Sequence, residues 1–281
     1  MSIVDAHQHV WDLGARRQPW LELPGHEPLL RNYSEADLLP LAIAAGVTST
    51  VVVQTVADPA ETRELLELAT ASDLVAAVVG WADLQSPAIA GDLAALRDGP
   101  HGAALRGIRH PVLAEPDRDW LRRPAVLAGL AATGAAGLCF DLVVPPDVLP
   151  AAADAAAACP GTLFVLDHLG NPRTPHVDEL WMTDLRRLAD LPNTVCKLSG
   201  LLAEPPPPGQ AGVAHLVPYY ETALAAFGPG RMMFGSDWPV CTLGAPYDRV
   251  VAVARMLTSG LSQMECDQVF AGTARRVYRL G

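Results

Sequence analysis

The sequence has little of several residue types that mark particular protein classes. Its five cysteines are scattered and contain no C-x-x-C pair, which excludes a disulfide framework or zinc ribbon and predicts a reducing compartment. The most apolar stretch, residues 125–140, is interrupted by Gly129, Gly134 and Gly137 and is too short to span a membrane. The N-terminus shows no signal-peptide pattern. We therefore expect a cytoplasmic protein without a membrane partner.

Basic residues are in the minority. The 20 Lys and Arg residues face 31 Asp and Glu residues, for a formal net charge of −11. This balance argues against nucleic acid as a partner, although a local basic cluster can still bind a small anionic substrate. Half of the residues are hydrophobic, which is enough for a large core.

Short apolar runs alternate with longer Ala- and Leu-rich segments of helical period. Runs without alternating polar residues are typical of parallel strands that are covered on both faces. The predicted strands are residues 3–11, 49–56, 74–83, 104–110, 136–144, 162–170, 193–200 and 231–239.

Helices are predicted between these strands. The first three have N-cap residues at Ser34, Asp58 and Ser86. Eight strands, each followed by a helix and without a dividing linker, predict a single α/β domain over residues 1–281. Its fold would be a (β/α)8 TIM barrel, regular or distorted, with a C-terminal helix. The later helices are predicted at 117–133, 147–158, 177–190, 213–227, 246–258 and 263–279.

A doubly wound sheet is the alternative fold. It usually has fewer strands and a glycine-rich first turn, and the sequence contains no G-x-G-x-x-G motif. Two long loops, 11–33 and 203–210, follow the carboxyl ends of strands, where barrel enzymes build their active sites. We expect both loops to form walls or lids.

Polar side chains recur at the ends of the predicted strands. In a barrel these ends meet at one mouth, and burying polar groups at so many places is costly unless they form a site. The candidates are His7 and His9 on strand one, Arg109 and His110 on strand four, Asp141 on strand five, Asp167 and His168 on strand six, Lys197 and Ser199 on strand seven, and Asp237 on strand eight.

His7 and His9 are predicted to be metal ligands. They lie two residues apart, so their side chains leave the same face of the strand, and Asp5 is expected one pleat below them as a supporting residue. Two imidazoles can hold a divalent metal that an aspartate across the mouth, Asp237, completes. The alternative is a hydrogen-bonded histidine pair at a strand end.

Asp237 and His168 are predicted to be catalytic. Asp237 lies between an apolar strand and a proline, and its alternative role is an N-cap or Asx turn. His168 is alternatively a hydrogen-bonded core histidine.

Five further residues are predicted to bind substrate. Arg109 and His110 of strand four could instead be loop residues, and Asp141, like Asp167, could instead cap a loop. Lys197 lies between apolar residues, and a buried lysine is rare without a partner. The five are Arg109, His110, Asp141, Lys197 and Trp238, the last as a pocket wall.

Several motifs together resemble the amidohydrolase superfamily, in its amidohydrolase-2 branch. They are DAHQHVWD, LRGIRHP, FVLDHLGNP, VCKLSGL, MMFGSDWP and FAGTARRVYRL, and within the branch they are most similar to the L-fuconolactonase and L-rhamnonolactonase group. The resemblance implies a distorted (β/α)8 barrel that hydrolyses carbon–oxygen bonds in small lactones. It places His7 and His9 at the strand-one pair, His168 at the strand-six histidine and Asp237 at the strand-eight acid.

The sequence also departs from this pattern. Binuclear members use a modified lysine at the end of strand four and a histidine on strand five, where this chain has Arg109-His110 and Asp141. At most one divalent metal, zinc, is therefore expected, and a metal-free mechanism stays open.

The predicted function is hydrolysis of a sugar-acid lactone with Asp237 as general base. The partner is then a small lactone or sugar acid, and a homo-oligomer is compatible with the sequence. Two alternatives remain, a metal-dependent decarboxylase of an unsaturated or aromatic acid and a barrel that binds a sugar acid without turnover.

Overall fold

The computed structural model describes residues 2–172, 177–203 and 213–281. Within these residues, eight strands form one parallel sheet whose spatial order follows the chain order from β1 to β8. The predicted (β/α)8 barrel is confirmed. The strands are β1 (Ile3–Gln8), β2 (Val47–Val53), β3 (Val75–Gly80), β4 (Leu105–His110), β5 (Cys139–Leu142), β6 (Phe164–Leu166), β7 (Thr194–Leu198) and β8 (Met232–Phe234).

Helices connect the strands and end the chain. The predicted C-terminal helix is present as α9, a π-helical turn over Gln268–Gly272, and α10. Of the predicted proline loop, residues 204–210 lie outside the described residues. The described helices are α1 (Glu35–Ala45), α2 (Pro59–Ala71), α3 (Ile89–Asp98), α4 (Pro124–Ala135), α5 (Leu149–Ala158), α6 (Glu179–Ala189), α7 (Val217–Phe227), α8 (Tyr247–Leu257), α9 (Gln263–Asp267) and α10 (Thr273–Tyr278).

Two of the three predicted N-caps, Ser34 and Asp58, are confirmed, whereas Ser86 is wrong: α3 begins at Ile89 with Ala88 as its N-cap, and Ser86 Oγ accepts a hydrogen bond from the Ala88 N–H in the turn before the helix. Asp58 caps α2 by accepting a hydrogen bond from the Ala60 N–H at 2.8 Å, with Pro59 in the first turn. At α1, the Ser34 N–H donates to the Asp37 carboxylate at 2.8 Å in a capping box. These caps fix where the chain leaves the loops at the barrel mouth.

The core has two layers that follow from strand alternation. On β2, Val52 faces the outer helices, whereas Val51 and Val53 face the barrel interior. Tyr278 of α10 packs into the same interior cluster, so the C-terminal helix covers one end of the barrel. No helix of the described residues is both long and apolar enough to cross a bilayer.

The barrel closes between its first and last strands. The Asp237 N–H donates to the His7 carbonyl at 2.8 Å, and the His9 N–H donates to the Trp238 carbonyl at 2.7 Å. Closure therefore brings the polar ends of β1 and β8 side by side.

Candidate active site

His7 enters the barrel interior because β1 is irregular. The pairing of β1 with β2 shifts register between Asp5 and Gln8. Asp5 lies on the outer side, where its carboxylate accepts hydrogen bonds from the Tyr247 hydroxyl at 2.9 Å and the Ser236 N–H at 2.7 Å. Ala6 packs in the interior cluster. Strict alternation does not hold here, and Asp5 supports the backbone of both strand ends from outside.

Asp237 lies opposite three imidazoles. Its Oδ1 atom is 3.6 Å from His7 Nε2, 3.5 Å from His9 Nε2 and 3.9 Å from His168 Nε2. The Nε2 atoms of His7 and His9 are 3.0 Å apart. Ligand atoms on a tetrahedral zinc with bonds of about 2.0–2.1 Å lie roughly 3.3 Å apart, so the spacing suits one ion. Donor atoms of His7, His168 and Asp237 all fall within 4.8 Å of one another.

The second ring nitrogen of each histidine has a partner. His9 Nδ1 lies 2.7 Å from the Val53 carbonyl, and His168 Nδ1 lies 2.9 Å from Ser199 Oγ. Such hydrogen bonds orient metal-binding imidazoles. Burial lowers the pKa of all three histidines, which leaves them neutral and able to offer a lone pair.

His7 has a carboxylate and an ammonium group beside its Nδ1. Asp167 Oδ1 is 3.3 Å away and Lys197 Nζ is 3.0 Å away. Asp167 Oδ1 is buried, and Lys197 Nζ lies 2.9 Å from it. A buried carboxylate oxygen in this position is the acceptor that a metal-bound His7 needs for its Nδ1–H. The donor set therefore fits a single divalent ion.

A buried charge network lies below the imidazoles. Lys197 is 0% exposed, and its Nζ is 2.5 Å from Asp141 Oδ2, which also accepts a hydrogen bond from the Tyr278 hydroxyl at 2.9 Å. Burial lowers the pKa of Lys197, but Asp141 and Asp167 raise this pKa by a larger amount. The net shift is therefore upward, and Lys197 keeps its ammonium charge. Asp141 and Lys197 are not among the described residues that line the cavity above.

Arg109 extends this network towards the cavity. Its Nη1 is 3.1 Å from Asp167 Oδ2 and 3.3 Å from His7 Nε2, and its Nη2 donates to the Gln54 carbonyl. Arg109 and Lys197 together balance the two buried carboxylates of Asp141 and Asp167. Arg109 also lines the cavity and can reach a substrate.

His110 points away from the site. Because successive strand residues face opposite sides, Arg109 faces inward and His110 outward. The His110 ring accepts a hydrogen bond from Trp81 Nε1 at 3.1 Å, contacts Glu115 at 2.7 Å and stacks on Trp120 with centroids 4.2 Å apart. This outward position does not favour a contact between His110 and substrate, which stays a prediction.

Trp238 lies behind the cavity. Its side chain is 2% exposed and packs edge-on against Tyr33, with ring centroids 5.4 Å apart. It is not among the described lining residues, and its carbonyl holds the His9 backbone.

A cavity of ≈ 810 Å³ opens above the histidines. Its polar floor is formed by His9, Arg109, His168 and Asp237. Residues 12–32, within the predicted loop 11–33, form one wall. Further lining residues are Arg16, Arg17, Pro19, Trp20, Leu23, His26, Pro111, Leu113, Val143, Asn171 and Val240.

The two arginines of this wall are held differently. Arg16 Nε lies 2.6 Å from Asp58 Oδ2, and its other nitrogens bind Glu64 at 3.0 Å, so it joins the wall to α2. Arg17 pairs at 2.7 Å with Glu22 inside the same loop, and its side chain is 75% exposed.

Backbone strain concentrates at the mouth. His168 and Asp237 have φ angles of 54° and 60°, in the left-handed region. β6 accordingly ends at Leu166, before the predicted 170, and His168 projects from a tight turn over Asp167–Gly170. Such conformations persist at functional sites because the surroundings hold them in place.

Several residues that support the site were not predicted from the sequence. Gln54 is a polar residue within the apolar run of β2 and its following loop, and it could have been noticed for that reason; its side chain donates to the Arg109 carbonyl at 3.1 Å. Tyr247 and Tyr278 gave no local signal, because their contacts depend on how distant helices pack.

Comparison with known proteins agrees with this geometry. The amidohydrolase family model matches residues 4–280. An L-fucono-1,5-lactonase of Burkholderia multivorans is 38% identical over 99% of this chain and 96% of its own length, and one of Burkholderia ambifaria is 36% identical over 87% and 82%. A crystal structure of an amidohydrolase from Burkholderia multivorans with bound zinc superposes with a TM-score of 0.92, at 37% identity and full coverage of both chains. The chain belongs to the amidohydrolase family.

Proposed function

We propose that this protein hydrolyses a small sugar-acid lactone at the floor of the cavity, with Asp237 as general base. The observation that carries the proposal is the carboxylate of Asp237, which faces the Nε2 atoms of three neutral histidines at the polar end of the cavity. The L-fucono-1,5-lactonases that resemble the chain over most of its length support a lactone as substrate.

We further propose a single zinc ion as cofactor. His7 and His9 would hold it through Nε2 together with Asp237, and His168 Nε2 is close enough to complete four donors. When bound, the ion would act as a Lewis acid towards the lactone carbonyl.

The proton steps then fall to Asp237. Its carboxylate accepts a proton from water as the water oxygen bonds to the lactone carbonyl carbon. The ring carbon–oxygen bond breaks, and the protonated carboxyl returns the proton to the departing alkoxide. The product is the open hydroxy acid.

Arg109 is placed to bind the reacting end of the substrate. Its guanidinium reaches the cavity floor while Asp167 and the Gln54 carbonyl fix its orientation. A fixed cation there stabilises the oxyanion that forms at the carbonyl oxygen. We propose that Lys197 and Asp141 act indirectly, by holding His7 and Asp167, and that Trp238 holds the His9 backbone.

Substitution of Asp237 tests the proposal. Asp237→Asn should lower kcat for lactone hydrolysis by about 10²-fold or more, with unchanged circular dichroism and melting temperature. Asp248→Asn, at an exposed position of α8, is the matched control. A pH-indicator screen over sugar lactones, L-fucono-1,5-lactone included, supplies the assay, and metal analysis of the same sample measures zinc content.

Three results would contradict the proposal. Retained turnover in Asp237→Asn would exclude Asp237 as the base. Release of CO2 from carboxylic acids, without lactone hydrolysis, would favour the decarboxylase alternative. Lactone binding without hydrolysis by the unmodified protein would favour a barrel that only binds.

A further inference from the structure

Three arginines lie near one another at the amino ends of β4 and β5, at the opposite end of the barrel from the cavity. Arg106 is the second residue of β4, Arg97 lies in the last turn of α3, and Arg279 follows α10. Arg97 donates to the Ala136 carbonyl, and Arg279 donates to the Gly137 carbonyl. The Cα atoms of adjacent residues are ~3.8 Å apart, so two guanidinium groups are held side by side.

Strand pairing brings Arg106 to the same place. Gly107 pairs with Cys139 on β5, so Arg106 lies beside the residues that precede β5. The Arg106 Nε atom is buried and has no hydrogen-bond partner among the described residues. Burial lowers the pKa of the Arg106 guanidinium, and the positive charges of Arg279 and Arg97 lower this pKa further. The three guanidinium groups therefore act on one another.

No carboxylate balances this cluster in the part of the chain that the structure describes. None of its three guanidinium groups forms an ion pair there, whereas Arg16, Arg17 and Arg122 each pair with a carboxylate. The carbonyls at the end of α4 offset part of the charge, because a helix C-terminus carries the equivalent of roughly −0.5 charge. Roughly 2.5 positive charges therefore remain at the cluster.

A purely structural role would account for two of the three arginines. Basic side chains near a helix C-terminus stabilise the last carbonyls of the helix, as Arg97 and Arg279 do at α4. It does not account for Arg106, whose Nη1 makes a long hydrogen bond of 3.4 Å to the carbonyl of the neighbouring Leu105. Mutual repulsion of three cations is unfavourable, and a bound anion would offset it.

We propose that Arg97, Arg106 and Arg279 form a binding site for a phosphate group, supplied by inorganic phosphate or by a phosphate ester. A phosphate carries roughly −1.5 to −2 charges at pH 7, and its oxygens accept hydrogen bonds from several directions. A carboxylate offers a single charge and two oxygens in one plane, which suit one guanidinium group rather than three. Arg97 and Arg279 are exposed, so a larger ester can also reach the site. The inference does not depend on the proposed lactone hydrolysis.

Calorimetric titration of the full chain with inorganic phosphate tests the proposal. At an ionic strength held constant with sodium chloride, we expect saturable binding. Arg106→Gln should raise the phosphate Kd by about tenfold or more, because a hydrogen bond to a charged group is lost. Arg249→Gln removes the same charge from an exposed position of α8 and should leave the Kd unchanged. Titration with glucose 6-phosphate distinguishes an ester from the inorganic anion, since the natural source should bind more tightly.

Thermal unfolding separates a ligand site from a structural role. Phosphate should raise the Tm of the unmodified protein and of Arg249→Gln by the same amount, because it binds the folded state. The increase should be absent or much smaller in Arg97→Gln and Arg106→Gln. If Arg97 only held the turn before β5, Arg97→Gln would lower the Tm equally with and without phosphate, and the inference would be overturned.

Three further results would overturn the inference. The first is the absence of saturable binding for both phosphate probes. The second is an unchanged phosphate Kd in Arg106→Gln, which would place any bound phosphate elsewhere, for example on Arg109 at the cavity floor. The third is tighter binding of citrate than of either phosphate, which would assign the cluster to carboxylates. If Arg106→Gln does not fold, the exposed Arg97→Gln decides by the same two measurements. Neither measurement uses lactone turnover.

Discussion

Gly200 packs so closely against His168 that a β-carbon at position 200 would lie 2.6 Å from the His168 Cβ. The φ angle of Gly200 is 73°, in the left-handed region that favours glycine. The end of β7 thus fixes a histidine that follows β6. Because His168 is itself in a strained conformation, its position depends on this contact.

Gly200→Ala should therefore impair the site more than the fold. We expect kcat/KM for lactone to fall by about tenfold to 10²-fold, because small displacements of reacting groups are costly. The free energy of unfolding should fall by about 1–3 kcal/mol. Gly161→Ala is the control, since an added Cβ there meets no atom within 4 Å. Full activity in Gly200→Ala would show that His168 does not need its present position.

Tyr278→Phe tests the contact between the C-terminal helix and the interior. The lost hydrogen bond has a charged, fully buried acceptor in Asp141, so unfolding should become easier by about 1–3 kcal/mol. Tyr220→Phe is a matched control, because the Tyr220 hydroxyl is buried and has no hydrogen-bond partner among the described residues. Denaturant unfolding compares the two. Equal effects would contradict the importance of the Asp141 contact.

Protonation of His110 should lower the free energy of unfolding in mild acid. Burial lowers its pKa below the ordinary 6.5, even though Glu115 opposes the shift. Below pH 6.5 the unfolded chain therefore binds more protons at this residue than the folded protein, and the free energy of unfolding falls as the pH falls. One such group contributes a slope of at most about 1.4 kcal/mol per pH unit.

The variant His110→Gln isolates this contribution. Its free energy of unfolding, followed by denaturant titration from pH 7 to 5, should fall less steeply than that of the unmodified protein. The exposed His101 gives the control as His101→Asn. Parallel curves for His110→Gln and the unmodified protein would contradict a buried neutral His110.

Arg16→Gln tests whether the cavity wall must be anchored to α2. Loss of the contacts with Asp58 and Glu64 should raise KM for lactone and leave kcat nearly unchanged, because the chemical groups are untouched. Stability should change by about 1 kcal/mol or less, as for most partly exposed ion pairs. Arg122→Gln, which removes a similar pair with Asp154 between residues that do not line the cavity, is the control. An unchanged KM would show that the wall keeps its position without Arg16.

The fold could be predicted because its signals are local. Each apolar run and each helix start lies within a short segment, and all eight predicted strands are present. Strand ends were less accurate: β6 ends at Leu166 because Asp167–Gly170 turns through left-handed conformations that composition does not reveal.

The polar residues that meet at the mouth could also be predicted from the sequence, but the directions of their side chains could not always be predicted. The register shift in β1 depends on its pairing with β2, so the outward position of Asp5 was not predictable from alternation. The opposite faces of Arg109 and His110 do follow from strand geometry and could have been predicted. The depth of Lys197 depends on Asp141 from another strand, which no local pattern contains.

The wall over the cavity begins and ends at the same place. Trp11 and Tyr33 exchange two main-chain hydrogen bonds of 2.9 and 3.0 Å, so residues 12–32 leave the barrel and return to it at one paired position. A segment with joined ends can change in length and sequence without moving the strands that carry the histidines. Exchange of this single segment would therefore change one wall of the cavity while the histidines and Asp237 at its floor keep their positions.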